Sequence, residues 1–225
     1  MKLAAAVLAL LAAGLGQASP LADCPPVHVF GARETTASPG YGTSKGLVDM
    51  VVRANPGATS EAITYPACGG QSSCGGASYD SSATQGTAAV VKAVTALNQR
   101  CPDTKIVLVG YSQGGQIVNN AVCGGAGATL TGAALKAVKA AIFMGDPHNT
   151  AGLPYNVGTC TCTNHGFAAR ASGFKCSPGD PSIIQSYCDS ADPYCCNGND
   201  ANAHQQYVNK YGTQAAAFVQ KLLKA

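Results

Sequence analysis

The sequence predicts an α/β fold, a parallel sheet covered by helices on both faces. Three observations lead there. Short apolar runs alternate along the chain with segments of helical hydrophobic period. The most apolar run, KIVLVG (105–110), is hydrophobic at successive positions, which suits a strand buried on both faces. A G-x-S-x-G pentapeptide, Gly110 to Gly114, then joins that run to a helical one.

In chain order, VHVFGA (27–32) reads as the first strand. A helical segment spans 41–57 and stops at Asn55-Pro56-Gly57, a breaker sequence. EAITYPA (61–67) reads as the second strand, and a Gly/Ser/Cys-rich loop spans 69–79. QGTAAVVKAVTALNQRC (85–101) carries apolar residues at three- and four-residue spacing and reads as a helix. The third strand is 105–110, followed by a helix from Gln113 to the Gly124-Gly125 stop. A helix tail and a fourth strand (141–144) come next. Residues 149–182 read as a loop, SIIQSYC (182–188) as the fifth strand and 203–224 as a terminal helix. No repeat or linker interrupts this order, so residues 23–225 are expected to form a single catalytic domain with no appended carbohydrate-binding module.

Composition narrows the function classes. Charged residues make up 11%, the formal net charge is +3, and no Lys/Arg cluster is present. A nucleic-acid surface needs such a cluster to replace counterions. Residues 1–18 begin with one Lys, continue as an apolar run and end in small residues, the three-part pattern of a secretory leader. A short pro-segment to Ala22 fits the same pattern. The apolar run is shorter than the roughly 20 residues of a membrane span. The mature protein is therefore expected to be secreted, extracellular and free of membrane contacts.

Eleven cysteines follow the leader, and in an exported chain they read as a disulfide framework with one thiol left over. Paired C-x2-C knuckles are lacking, so no zinc or other metal is expected.

The pentapeptide carries the chemistry. Ser112 would sit on a tight strand-to-helix turn that lifts its hydroxyl clear of the sheet, with glycines at 110 and 114 because side chains there would collide with neighbours. The N–H of Gln113 would point at a developing oxyanion. A serine hydroxyl needs a base, and the base an orienting carboxylate, in the chain order Ser, acid, His. His28 lies in the first strand, far upstream. His148 precedes the later acids, and His165 sits in a Gly-rich loop. His204 opens the terminal helix after the last strand and fits the order. Asp180, Asp189, Asp192 and Asp200 compete as the acid. Asp192 is favoured because Cys188 and Cys195 bracket it; a bridge between them would add ~2.5 kcal/mol by chain entropy and hold the carboxylate. Asp189 is the rival, read as a turn residue at the strand end.

HVFGARETTASPGYG, YPACGGQSSCGGASY, KIVLVGYSQGG, KAAIFMGDP and DPYCCNG with its downstream His resemble the fungal acetylxylan esterases of the cutinase superfamily, carbohydrate esterase family 5. The resemblance covers Cys24 to the end. It implies a lidless, flavodoxin-like three-layer α/β-hydrolase with a five-stranded parallel sheet. It implies Ser112, Asp192 and His204 as the catalytic triad, and an oxyanion hole of Gln113 and Thr35. It also implies the bridges Cys24–Cys101, Cys68–Cys74 and Cys188–Cys195, with Cys162 as the unpaired thiol. The expected activity is ester hydrolysis on acetylated xylan by a cofactor-free monomer. A cutinase or general short-chain esterase is the alternative, and a non-catalytic cysteine-rich wall-binding protein the distant one. Tyr194 stands where the cutinase pattern has an aliphatic residue, and is expected to limit acyl length.

Overall fold

The computed structural model describes residues 24–160 and 165–225. Residues 1–23, which hold the expected leader and pro-segment to Ala22, and Cys162 lie outside the described residues. Six parallel strands form one sheet: β1 (Val27–Ala32), β2 (Thr59–Ala62), β3 (Lys105–Tyr111), β4 (Val138–Met144), β5 (Asn156–Val157) and β6 (Ile184–Tyr187). Their order is β2-β1-β3-β4-β6-β5. Helices α1 (Lys45–Arg53) and α5 (Tyr207–Lys224) cover one face; α2 (Tyr79–Arg100), α3 (Gln113–Cys123) and the short α4 (Gly132–Ala137) cover the other.

The continuous apolar runs have a direct physical cause. Along β3, Ile106 and Leu108 pack with Val90, Val94 and Ile117 on the α2/α3 face. Val107 and Val109 pack with Leu47, Val51 and Val219 on the α1/α5 face. Each strand residue meets a helix layer whichever way it points, so no polar alternation is left.

Three expectations about strands need correction. The fourth strand begins at Val138 rather than 141, because the helix before it ends at Ala137. The sheet has six strands rather than five, because two residues of the 149–182 segment pair in parallel with β6 at its outer edge, Asn156 opposite Ser186 and Val157 opposite Tyr187. A pair so short carries no periodicity for the sequence to reveal. The second strand is Thr59–Ala62, not 61–67. It is a polar edge strand, and polar residues at an exposed edge are how sheets avoid pairing with other chains. The apolar residues Ile63 and Tyr65 beyond it are buried, but the Arg33 guanidinium takes the carbonyls of Tyr65 at 2.6 Å and Pro66 at 3.2 Å. A side chain thus replaces the ladder there.

Ten cysteines form five disulfides: Cys24–Cys101, Cys68–Cys74, Cys123–Cys176, Cys160–Cys196 and Cys188–Cys195. The sulfurs of Cys160, Cys188 and Cys196 lie close together, but all three are in bridges and offer no thiolate to a metal.

In this order, β1 and β3 are the neighbours from which successive connections run outward in opposite directions. That is the switch point at which open α/β sheets bind ligands, beyond the carboxyl ends of the strands. Ser112 follows β3 directly.

Candidate active site

Ser112 has φ +54° and ψ −121°, a backbone state costing a non-glycine residue about 1–3 kcal/mol. It is held by its neighbours: Ser112 N–H donates to Met144 O at 2.8 Å, and Gln116 N–H donates to Ser112 O at 3.0 Å. The flanking glycines are dictated by space. A Cβ on Gly110 would stand 2.2 Å from Gly114 O, and one on Gly114 would stand 2.2 Å from Ala32 O. The elbow is thus wedged between α3 and the end of β1.

Asp192 and His204 meet. His204 Nδ1 lies 2.6 Å from Asp192 Oδ2, and both side chains are buried. The same carboxylate oxygen accepts from Tyr207 Oη at 2.7 Å, while Oδ1 accepts from the N–H groups of Tyr194 (2.7 Å) and Cys195 (3.2 Å). Burial alone would push the Asp192 carboxyl up. The hydrogen bond and charge of His204, with the Tyr207 and Tyr194 donors, outweigh it and hold the group below the usual carboxylate range. Burial, and then the Asp192 charge, pushes the Tyr207 phenol far up, so it stays protonated and stays a donor. The Cys188–Cys195 bridge closes this loop, and Tyr111 Oη donates to His204 O at 2.5 Å. Gly145 has φ +63°, and a Cβ there would stand 2.7 Å from the imidazole. Its absence makes the seat for the ring.

Ser112, His204, Thr35 and Tyr194 line one open cleft of about 420 Å³. Gln113 begins α3, and its fully buried side chain donates to Cys68 O at 3.0 Å and accepts from Ser82 Oγ at 2.8 Å. That fixes the first turn of the helix, whose N–H groups favour negative charge. Thr35 sits on the loop that Arg33 clamps to Tyr65 and Pro66. Tyr194 is 42% exposed, and its ring lies 4.6 Å from the His204 ring, centre to centre. Side by side with the imidazole, it belongs to the cleft wall rather than to the outer surface.

The other candidates have different partners. Asp189 binds Lys210 Nζ at 2.7 Å, Tyr211 Oη at 2.7 Å and the Thr159 hydroxyl at 3.0 Å. Asp180 and Asp200 accept from the N–H groups of Ser182 and Asn202. His28 meets Thr59 Oγ1 at 2.6 Å, and His165 meets Gly166 O. His148 does not line the cleft of Ser112. It is buried, one ring nitrogen on Ala168 O and the other 2.9 Å from Asn120 Oδ1.

Sequence reasoning missed Tyr111, Tyr207, Arg33, Tyr79 and Phe167. Tyr111 is the variable residue inside the pentapeptide, and Tyr207 stands three residues after His204, one helical turn on; both spacings were visible. Arg33 acts across some thirty residues, and no local pattern announces that.

A parallel sheet in this order, a strained serine at the end of its third strand and a buried Asp–His pair on the same cleft define the α/β-hydrolase class. The family model described as Cutinase matches residues 23–223, and the chain belongs to this family of carboxylic ester hydrolases. It is 59% identical to "Cutinase 11" of Verticillium dahliae over 212 residues, 90% of this chain and 70% of that one. It is 58% identical to "Acetylxylan esterase" of Hypocrea jecorina over 212 residues, 90% of this chain and 69% of that one. Its fold matches the catalytic core domain of acetyl xylan esterase from Trichoderma reesei with a TM-score of 0.84, at 57% identity, over 89% of this chain and all of that one.

Proposed function

We propose that the protein is a secreted serine esterase that removes acetyl groups from acetylated xylan. The observation that carries the chemistry is the buried 2.6 Å Asp192–His204 pair on the cleft that also holds the strained Ser112. The substrate rests on the relatives named acetylxylan esterase and on the aromatic ring that narrows the cleft beside the imidazole. Secretion rests on the leader pattern and on five disulfides, which persist in oxidising compartments.

Ser112 Oγ attacks the acetyl carbonyl while His204 Nε2 takes its proton. Asp192 holds the imidazole tautomer, and the Gln113 N–H and Thr35 stabilise the tetrahedral oxyanion. The ester C–O bond breaks, and the imidazolium proton goes to the sugar oxygen as it leaves. Water then attacks acetyl-Ser112, giving its proton to His204. Collapse of the second tetrahedral intermediate releases acetate and restores the serine.

The test pairs acetate release from acetylated xylan with initial rates on 4-nitrophenyl esters of rising chain length. Release of acetate, with rates falling steeply from acetate to octanoate, is the expected result. The relative named cutinase favours a second reading, a polyester hydrolase. A profile peaking at butyrate or longer, with little acetate freed from xylan, would establish that reading instead.

A further inference from the structure

Among the described residues, two large hydrophobic side chains are exposed, Phe167 at 59% and Tyr194 at 42%. They are not scattered. Both line the cleft of Ser112 and His204, and Phe167 N–H donates to Tyr194 O at 3.1 Å. Exposed apolar side chains gathered at one cleft mark a binding surface. Leaving a phenyl group in water forgoes stabilisation that burial would provide.

The Phe167 segment is held firmly. Gly166 N–H donates to Asn149 O at 3.0 Å and Ala168 N–H to Pro147 O at 3.2 Å, while a His148 ring nitrogen holds Ala168 O. Three residues on, the buried Arg170 donates to Asn119 Oδ1 at 2.7 Å. Asn119 is on α3, the helix that begins beside Ser112. Tyr79 meets the Phe167 ring edge-on, with centroids 5.3 Å apart at 71°, and Tyr79 Oη is fixed on Gln116 at 2.8 Å. An edge-on neighbour fixes the ring's orientation. A ring so placed is organised before any ligand arrives.

The cleft's polar lining offers the neutral groups of Thr36, Gln71 and Gln205 and the Glu34 carboxylate, which accepts from the Thr43 N–H and hydroxyl, and it contains no lysine or arginine among the described residues. A surface pairing aromatic rings with amide, hydroxyl and carboxylate groups and no cation fits an uncharged sugar, whose hydroxyls donate to amide and carboxylate oxygens alike. A pyranose chair presents C–H bonds on its faces and hydroxyls at its rim. A xylopyranose has no hydroxymethyl group to lift it from a flat ring.

We propose that Phe167 is the platform on which one pyranose ring of the polysaccharide backbone stacks while an acetyl ester enters the cleft at Ser112. The proposal rests on the acetylxylan reading. It makes Phe167 a binding residue for the polymer, with no part in hydrolysing a small ester.

The test compares Phe167→Ala, Phe167→Tyr and the unaltered protein on acetylated xylan and on 4-nitrophenyl acetate. Phe167→Ala is expected to raise KM for acetylated xylan about tenfold, equivalent to about 1.4 kcal/mol, with kcat and the nitrophenyl acetate kinetics unchanged. Phe167→Tyr, which keeps the ring, should restore KM. An unchanged KM on xylan would overturn the platform, and so would an equal loss on both substrates, the mark of a merely structural role. Failure of the unaltered protein to free acetate from xylan would instead overturn the functional reading on which the platform stands.

Discussion

Two aspartate–histidine pairs follow strands of the sheet, and only one has its imidazole on the cleft of Ser112. Asp146 and His148 follow β4; Asp192 and His204 follow β6. Asp146 accepts from Asn119 Nδ2 at 2.6 Å and from the His148 backbone N–H, while both ring nitrogens of His148 face other protein atoms. That pair ties β4, α3 and the Phe167 segment together. In the other pair, Asp192 takes one ring nitrogen of His204, and the ring borders the cleft with Ser112. A general base needs a nitrogen that the protein leaves to the substrate. Chain order favours the second pair, and the partners of the two imidazoles supply the physical difference.

Removing one member from each pair should break the symmetry most sharply. His204→Ala and Ser112→Ala should each lower kcat on 4-nitrophenyl acetate by about 10⁴–10⁶-fold, and the double change should add little, because these residues act as a unit. His148→Ala should leave kcat within about tenfold and instead lower stability by about 1–3 kcal/mol through orphaned buried partners, read by urea unfolding. A loss of rate at His148 matching that at His204 would erase the distinction.

The two aspartates of the acid loop repeat the contrast at closer range. Asp192→Asn should lower kcat by about 10⁴-fold, since the amide favours the wrong imidazole tautomer. Asp189→Asn should change kcat little, because that carboxylate anchors Lys210 and Tyr211. The reverse order of damage would assign the acid role to Asp189.

His28 offers a smaller effect, on stability alone. Burial, and then the charge of Arg100, lowers its pKa to about 4, and its Nε2 is buried without a partner. The unfolded chain binds the proton near pH ~6.5, while the folded chain resists it until about pH 4. Between these values the unfolded state holds more protons, so stability is fully present above ~6.5 and is lost as pH falls towards 4. Urea unfolding at several pH values should show that slope, flattened in His28→Leu. An unaltered slope would place its origin in other groups.

The smallest effect is a ratio. Tyr194→Val should improve butyrate and octanoate esters more than acetate, because the ring beside His204 occupies space that a longer acyl chain needs, and each methylene accommodated is worth only ~1–3 kcal/mol. An unchanged chain-length profile with normal acetate turnover would remove Tyr194 from the acyl path.

Much of this was legible in the residues, for physical reasons. The run into Gly110 announces a buried strand because both its faces are covered. The chain order of Ser112, Asp192 and His204 singles out residues that the fold gathers. The polar β2 was placed two residues late at its start and five at its end, since an exposed edge strand leaves no hydrophobic period and Arg33 does the pairing beyond it. The two-residue β5 and the Cys123–Cys176 and Cys160–Cys196 bridges depend on contacts between distant segments, and spacing alone does not encode them.

The adjacent cysteines 195 and 196 are bonded to different places, one to Cys188 across the acid loop and the other to Cys160. Oxidation therefore faces two pairings that differ by a single residue. In the native one the Tyr194 and Cys195 N–H groups reach Asp192. A host that supplies disulfide isomerisation as well as an oxidant is expected to give a larger active fraction than one that supplies the oxidant alone. Mass and solubility do not distinguish the two pairings; turnover per chain does.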